Sequence, residues 1–135
     1  MQGLSSAAVV GTLTAMLMCT GCAEQNEPAA RAAAEIFADD LASDDGAGAC
    51  RALAPATRAA LEQSSGKPCA VAIVEEELPD PGVAGRSASF GTMAKVDFAA
   101  DTMFVTEFSD GWKVMAAGCS PAPGDRPYDC SLHGG

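Results

Sequence analysis

The hydrophobic pattern of this chain changes its period near Arg86. Before that residue, apolar side chains recur at the three- and four-residue spacing of amphipathic helices, whereas after it apolar and polar residues alternate in four short segments. In one of these segments, Ala94, Val96 and Phe98 share a face and Lys95 lies on the other. Helices followed by strands predict an α+β domain, with N-terminal helices packed on an antiparallel sheet of about four strands.

The first helix is predicted to begin at Pro28, because proline is favoured in the first turn of a helix. The polar residues before it, from Glu24 to Glu27, are interpreted as a short tether. Four apolar residues of this helix share one face at helical spacing and are expected to pack on the sheet: Ala33, Ile36, Phe37 and Leu41.

Two further helical segments precede the strands. Residues 49–65 form a helical pattern that is split at Pro55, because the residue before a proline is pushed out of the helical region. Leu53 and Leu61 are its candidates for the core. Residues 67–80 are ambiguous, since their β-branched residues suggest a strand while their apolar spacing suggests a helix; we favour a short helix.

The end of the chain combines a turn signal with an irregular tail. Asp110 and Gly111 lie between two apolar runs, a combination that strongly indicates a β-hairpin. Residues 119–135 show no regular period and are predicted to be an irregular tail.

The first charged side chain of the sequence is Glu24, and residues 7–18 form an apolar run. Such a run is too short to cross a bilayer of about 30 Å as a helix, but it suits the core of a signal peptide. The residues that follow, Thr20, Gly21 and Cys22, resemble the bacterial lipobox with Cys22 as the lipidated residue. The resemblance departs from the usual pattern because Cys19 occupies the position where leucine is common, and residues 1–6 lack Lys or Arg.

This interpretation divides the chain into a signal peptide at 1–21, a lipidated tether at 22–27 and a single α+β domain at 28–135. Two acyl chains on Cys22 would suffice for stable anchoring. We therefore expect a protein attached to the cell membrane on its extracytoplasmic face. The alternatives for the N-terminal segment are a buried helix, or a redox pair formed by Cys19 with Cys22.

The charge balance excludes one class of partner. The chain carries 18 acidic and 8 basic side chains, a formal net charge of −10. Binding to nucleic acid depends on Lys and Arg residues that neutralise phosphates. We therefore expect no nucleic-acid partner, and the acidic surface is most simply a means of solubility.

Four cysteines follow the expected anchor, and four cysteines allow three disulfide pairings. Their spacing favours Cys50–Cys69 and Cys119–Cys130, each of which closes a short segment rich in turn residues. The rival interpretation is a metal site built from Cys119, Cys130 and His133, but it lacks a fourth ligand. We therefore predict two disulfides and no metal.

From Asp110 onward the chain reads DGWKVMAAGCSPAPGDRPYDC, and it ends in a glycine pair. Together with AGACRALAP around Cys50 and KPC at Cys69, this segment resembles small uncharacterised actinobacterial lipoproteins across most of the mature chain. The order of helices and then a curved antiparallel sheet is also that of cystatin-like and nuclear transport factor 2-like domains. The resemblance implies a cone-shaped α+β fold with two disulfides, and it supplies no catalytic residues.

No catalytic motif is present in the sequence. The one histidine, His133, lies near the chain end, and there is no G-x-S-x-G, phosphate-binding glycine loop or H-E-x-x-H. We therefore assign no catalytic residue and no cofactor. Some domains of the cystatin-like and nuclear transport factor 2-like fold are isomerases or cyclases that use an Asp and a Tyr lining the cone. Four residues are candidates for such a pocket or its rim: Asp97, Glu107, Trp112 and Tyr128.

The function expected from these features is that of a noncatalytic binding or interaction module held at the membrane through Cys22. Its partner would be a protein or a small apolar ligand. Two alternatives remain open, namely an enzyme of the isomerase or cyclase type that uses the cone pocket, and a purely structural envelope protein.

Overall fold

The computed structural model of the chain describes residues 23–124 and 127–134. The expected signal peptide and Cys22 lie outside the described residues. Within the described ranges, four helices precede five strands. The helices are α1 (Ala23–Ala42), α2 (Gly46–Ala52), α3 (Pro55–Ser65) and α4 (Cys69–Glu75). The strands are β1 (Ala84–Phe90), β2 (Met93–Phe98), β3 (Thr102–Phe108), β4 (Gly111–Pro121) and β5 (Tyr128–His133).

The strands form one open antiparallel sheet in the order β1-β2-β3-β4-β5, and the helices pack against it. The predicted α+β class is therefore confirmed. The predicted hairpin is also present, because Phe108 lies opposite Gly111 and Gly111 adopts a φ of 115°, a value that favours glycine. The split at Pro55 and the helix within residues 67–80 are confirmed as well.

The tail after Cys119 differs from its prediction as an irregular segment. Its residues 128–133 form β5, which pairs with β4 and makes the sheet five-stranded rather than four-stranded. Leu132 is buried opposite Ala117, and Cys130 lies opposite Cys119 and is bonded to it. The sequence of this segment has no strand pattern. Its place in the sheet depends on one buried leucine and one cross-strand disulfide.

The core lies between α1 and the sheet. Phe37 is fully buried among side chains from three neighbouring strands: Val96, Met103, Val105 and Val114. The buried face of α1 consists of Ala30, Ala34 and Phe37, whereas Ile36, which the sequence places in the core, is 57% exposed. Because the alanine side chains are small, the helix axis can lie close to the sheet. With Ala30, Ala34 and Phe37 facing the sheet, Ile36 faces solvent.

Helix α1 begins at Ala23, five residues before the predicted start at Pro28. The residues interpreted as a tether therefore extend the helix. Two polar side chains hold this part of the helix to β1. Glu27 Oε1 accepts a hydrogen bond from the backbone N–H of Ser89 at 3.3 Å, and the Arg31 guanidinium donates to the carbonyls of Ala84 and Gly85 at 2.9 Å each.

The two disulfides join Cys50 to Cys69 and Cys119 to Cys130, as the spacing predicts. The first connects α2 to α4, and the second connects neighbouring strands. Gly46, at the start of α2, is buried against α4, where any Cβ on it would overlap the Ala70 carbonyl oxygen. The two short helices thus approach each other at a glycine and are joined covalently four residues later.

Candidate functional site

Two of the four candidate residues, Asp97 and Tyr128, lie close together on the sheet face opposite the helices. Lys95 connects them, since its Nζ lies 3.3 Å from the Tyr128 hydroxyl and 3.2 Å from Asp97 Oδ1. The Tyr128 ring also packs edge-on against Phe104, with ring centroids 5.1 Å apart. Because Ala94 and Val96 alternate with Lys95 and Asp97 and point to the helices, this cluster does not line a cavity beneath them.

Lys95 is the central group of this cluster. Its hydrogen bond to Tyr128 raises the pKa of the Lys95 ammonium, and the contact with Asp97 acts in the same direction. The ammonium also lies 5.8 Å from the centroid of the Tyr128 ring. A lysine held in its charged form stabilises the arrangement of the cluster and is a poor general base.

The other two candidates, Glu107 and Trp112, lie opposite each other in the β3–β4 hairpin. Glu107 is exposed, whereas Trp112 is half-buried and packs against the core. Trp112 also lines a shallow groove of about 330 Å³ beside Ile36 and Arg51. The tryptophan thus packs at the rim of the core. Asp97 lies opposite Thr102, and Glu107 is five residues farther along β3, so the Glu107–Trp112 pair is about 17 Å from Asp97 at a rise of roughly 3.4 Å per residue.

The space between α1 and the sheet is filled by side chains. Phe37, Val96 and Val105 are fully buried there, and Met103 is nearly so. A ligand would therefore have to bind elsewhere than beneath the helix.

A pocket of about 300 Å³ opens at one end of this core, between the C-terminal part of α1 and the segment 79–81. Leu41, Leu78 and Met103 supply its apolar lining, and Asp80 and Asp101 supply two carboxylates. The pocket has the size of a small ligand site. We name it the distal pocket, because it lies at the end of α1 away from Ala23.

Asp101 is buried and sits in the turn between β2 and β3. Its Oδ1 accepts hydrogen bonds from the backbone N–H groups of Thr102 and Cys119, each at 2.7 Å, and its Oδ2 accepts one from Gly118 at 3.0 Å. Gly118 has a φ of 64°, and the β3–β4 register shifts beside it. The carboxylate therefore fixes an irregular part of β4, and both of its oxygens are engaged.

Asp101 was not predicted as a site residue, because the residues around it in the chain have the composition of an ordinary turn. The donors from Gly118 and Cys119 come from the next strand, seventeen and eighteen positions away. A short polar residue between two apolar strands was the one available signal, and that signal is common to many turns.

The rival interpretation of Cys119, Cys130 and His133 as metal ligands does not fit the structure, because both cysteines are joined in a disulfide. In residues 23–124 and 127–134 there is no cluster of three or more His, Cys, Asp or Glu side chains arranged to hold a metal ion. His133 is exposed and lies opposite Ala116.

None of the helices in the described ranges is both long enough and apolar enough to cross a bilayer. Comparison of the chain with protein-family models, with curated proteins and with solved structures found no match.

Proposed function

We propose that this protein is an extracytoplasmic lipoprotein, anchored through Cys22, whose domain binds a small apolar ligand or an apolar segment of a protein without chemical conversion. The observation that carries the binding function is the distal pocket, with its lining of Leu41, Leu78 and Met103 around about 300 Å³. A concavity of this size in which apolar side chains lie beside a few polar groups is typical of ligand sites. The anchor rests on the lipobox-like sequence at Thr20-Gly21-Cys22.

A noncatalytic role is supported by the state of Asp101, the buried one of the two carboxylates that line the pocket. Its two oxygens accept three backbone hydrogen bonds, which hold the carboxylate in place and occupy three of its about four acceptor positions. The candidate pair Asp97 and Tyr128 is outside the pocket, on the other face of the sheet. These positions argue against an Asp and a Tyr acting together on a bound substrate.

An isomerase or cyclase remains the second candidate, because a buried carboxylate does line a pocket of sufficient size. The two functions differ in what happens to a bound molecule. A ligand recovered unchanged from the purified protein supports the binding module, whereas turnover that is lost in Asp101→Asn, with the fold retained, supports the enzyme.

We further infer that the fold is of the cystatin-like or nuclear transport factor 2-like kind and that the chain is related to small actinobacterial lipoproteins. Four helices packed against an antiparallel meander support the first inference. The two disulfides at the cysteines of AGACRALAP, KPC, AAGC and PYDC support the second.

The anchor is tested by mass spectrometry of the protein from membrane fractions. We expect a mature chain that begins at Cys22 and carries acyl chains. A Cys22→Ala chain is expected to be released into the medium or to stay unprocessed. A wild-type chain that is soluble and retains residues 1–21 would contradict the anchor.

The binding function is tested with 8-anilinonaphthalene-1-sulfonate as the probe. Ala42 is exposed on α1 and lines the pocket, so Ala42→Phe should fill the pocket without disturbing the core. Ala32→Phe is the matched control, because Ala32 is exposed on the same helix and does not line the pocket. We expect probe fluorescence to fall at least about fivefold in Ala42→Phe and to persist in Ala32→Phe. Equal fluorescence in the two variants would contradict binding in this pocket.

A further inference from the structure

Three apolar side chains are exposed on the sheet face opposite the helices, near the β1–β2 and β3–β4 turns. Phe90 is 67% exposed, and Met93 and Phe108 are each 39% exposed. Phe90 lies opposite Met93, and Met93 lies opposite Thr106, so the alternation of the strands places Phe108 on the same face. We call these three residues the hairpin patch.

The beginning of α1 lies at this same end of the sheet. The Glu27 carboxylate accepts a hydrogen bond from the N–H of Ser89, the residue directly before Phe90. From Glu27 back to Ala23 the helix covers only about 6 Å at 1.5 Å per residue. Since Cys22 directly precedes Ala23 in the chain, the expected acyl chains are attached at the same end of the domain as the hairpin patch.

Continuous helix from Ala23 also leaves no extended tether between Cys22 and the domain. A flexible linker would let the domain rotate freely above the membrane, whereas a helix fixed to the sheet limits the rotation. Glu27 and Arg31 supply that fixation through their contacts with β1. The position of the anchor therefore determines which end of the domain faces the lipid.

The carboxylates of the β3–β4 hairpin are those of Glu107 and Asp110. Glu107 alternates with Phe108 along β3 and therefore lies on the face of the sheet away from the patch. Asp110, at the β3–β4 turn, is within 3.6 Å of Lys113, which offsets its charge. Exposed aromatic and aliphatic side chains are favourable at the boundary between headgroups and acyl chains, and an anchored domain meets that boundary at high effective concentration.

We propose that the hairpin patch inserts into the lipid surface that holds Cys22. The hairpin end of the domain then contacts the membrane, and the distal pocket opens away from it. This inference rests on the proposed lipid anchor. It assigns the patch to lipid rather than to a second copy of the chain, because the anchor lies at the same end.

The test compares two tryptophan positions in the full lipidated protein, reconstituted in phosphatidylcholine vesicles whose acyl chains are brominated. Both variants carry Trp112→Phe, so that each contains one tryptophan. Phe90→Trp reports on the patch. Val83→Trp is the matched control, since Val83 is apolar and 80% exposed, and its carbonyl accepts from Ala99 at the β2–β3 turn, the opposite end of the sheet.

We expect bromine to quench the fluorescence of Trp at position 90 at least about twofold and to leave Trp at position 83 unchanged, because only side chains buried at the acyl boundary meet the quencher. Phe108→Trp replaces Phe90→Trp if the latter does not give the circular dichroism spectrum of the wild type. Equal quenching at the two ends, or none at the patch, would overturn the orientation. Cross-linked dimers through the patch with no quenching would assign it to a second copy instead.

Mass spectrometry of the reconstituted sample separates this inference from the proposed anchor. An acylated Cys22 together with an unquenched patch overturns the orientation and leaves the anchor in place. A chain without acyl groups on Cys22 overturns the anchor and the orientation together.

Discussion

The Asp101 carboxylate accepts a hydrogen bond of 2.7 Å from the backbone N–H of Cys119, a residue of the neighbouring strand that is also joined to β5 by a disulfide. One buried side chain thus connects the β2–β3 turn to the strand pair that completes the sheet. The same carboxylate lines the distal pocket, so the geometry of the pocket depends on it.

Asp101→Ala is expected to lower the free energy of unfolding by about 3 kcal/mol, because it leaves buried N–H donors without a partner. Asp101→Asn should cost less but still be destabilising, since an amide presents one acceptor oxygen where two are used. Urea unfolding measures both. Asp110→Asn is the control, because Asp110 is exposed at a turn, and a change beyond about 0.5 kcal/mol there would be unexpected. An Asp101→Ala protein as stable as the wild type would contradict the structural role.

Gly46→Ala is expected to destabilise the protein by about 3 kcal/mol, because the added methyl group meets backbone atoms of Ala70 that no rotamer change can move. Gly66→Ala provides the comparison: no atom lies near its Cβ position, and its φ of 67° should cost only about 1 kcal/mol. Thermal and urea unfolding of the two variants should preserve that order. The reverse order would mean that α2 and α4 are not in close contact.

Each disulfide is expected to contribute about 3 kcal/mol, as closure of a short loop predicts. Cys50→Ala/Cys69→Ala and Cys119→Ala/Cys130→Ala should therefore both lower the urea midpoint. Amide hydrogen exchange should distinguish them, since loss of the second bridge should accelerate exchange in residues 128–133. A non-reducing peptide map that links Cys50 to Cys119 would contradict the pairing.

The cluster of Lys95, Asp97 and Tyr128 gives a prediction for alkaline pH. The pKa of Lys95 is raised above its ordinary value of 10.5, first by the hydrogen bond to Tyr128 and then by Asp97. Its contribution to stability is therefore fully present below pH 10.5 and is lost as the pH rises through the higher pKa of the folded state.

Tyr128→Phe should move the pKa of Lys95 back toward 10.5, because it removes the larger of the two causes. NMR titration of the lysine side-chain carbons of the wild type and the variant measures the change directly. Asp97→Asn should lower the pKa as well, though less. A Lys95 titration that is unchanged in Tyr128→Phe would show that the hydrogen bond does not form in solution.

Features encoded by neighbouring residues could be predicted from the sequence. The change from helical to alternating period near Arg86 set the order of helices and strands, and the Asp110-Gly111 pair placed a hairpin between two apolar runs. The short segments between Cys50 and Cys69, and between Cys119 and Cys130, favoured the pairing that the structure contains. Period, turn chemistry and loop length are local properties, so one sequence is enough to establish them.

Features that depend on how elements dock could not be predicted in this way. The tail forms a strand because Leu132 is buried beside β4. Ile36 is exposed because the alanines of α1 face the sheet and so set the rotation of the helix. Asp97 and Tyr128 meet through Lys95 on the face away from the helices, and Asp101 finds its donors on the next strand. The chain by itself determined the order of helices before strands and the β3–β4 hairpin, favoured the two bridges, and contains a lipobox-like segment at Cys22. Only the tertiary structure decided which side chains meet, because those contacts join residues far apart in the sequence whose relative positions are set by packing.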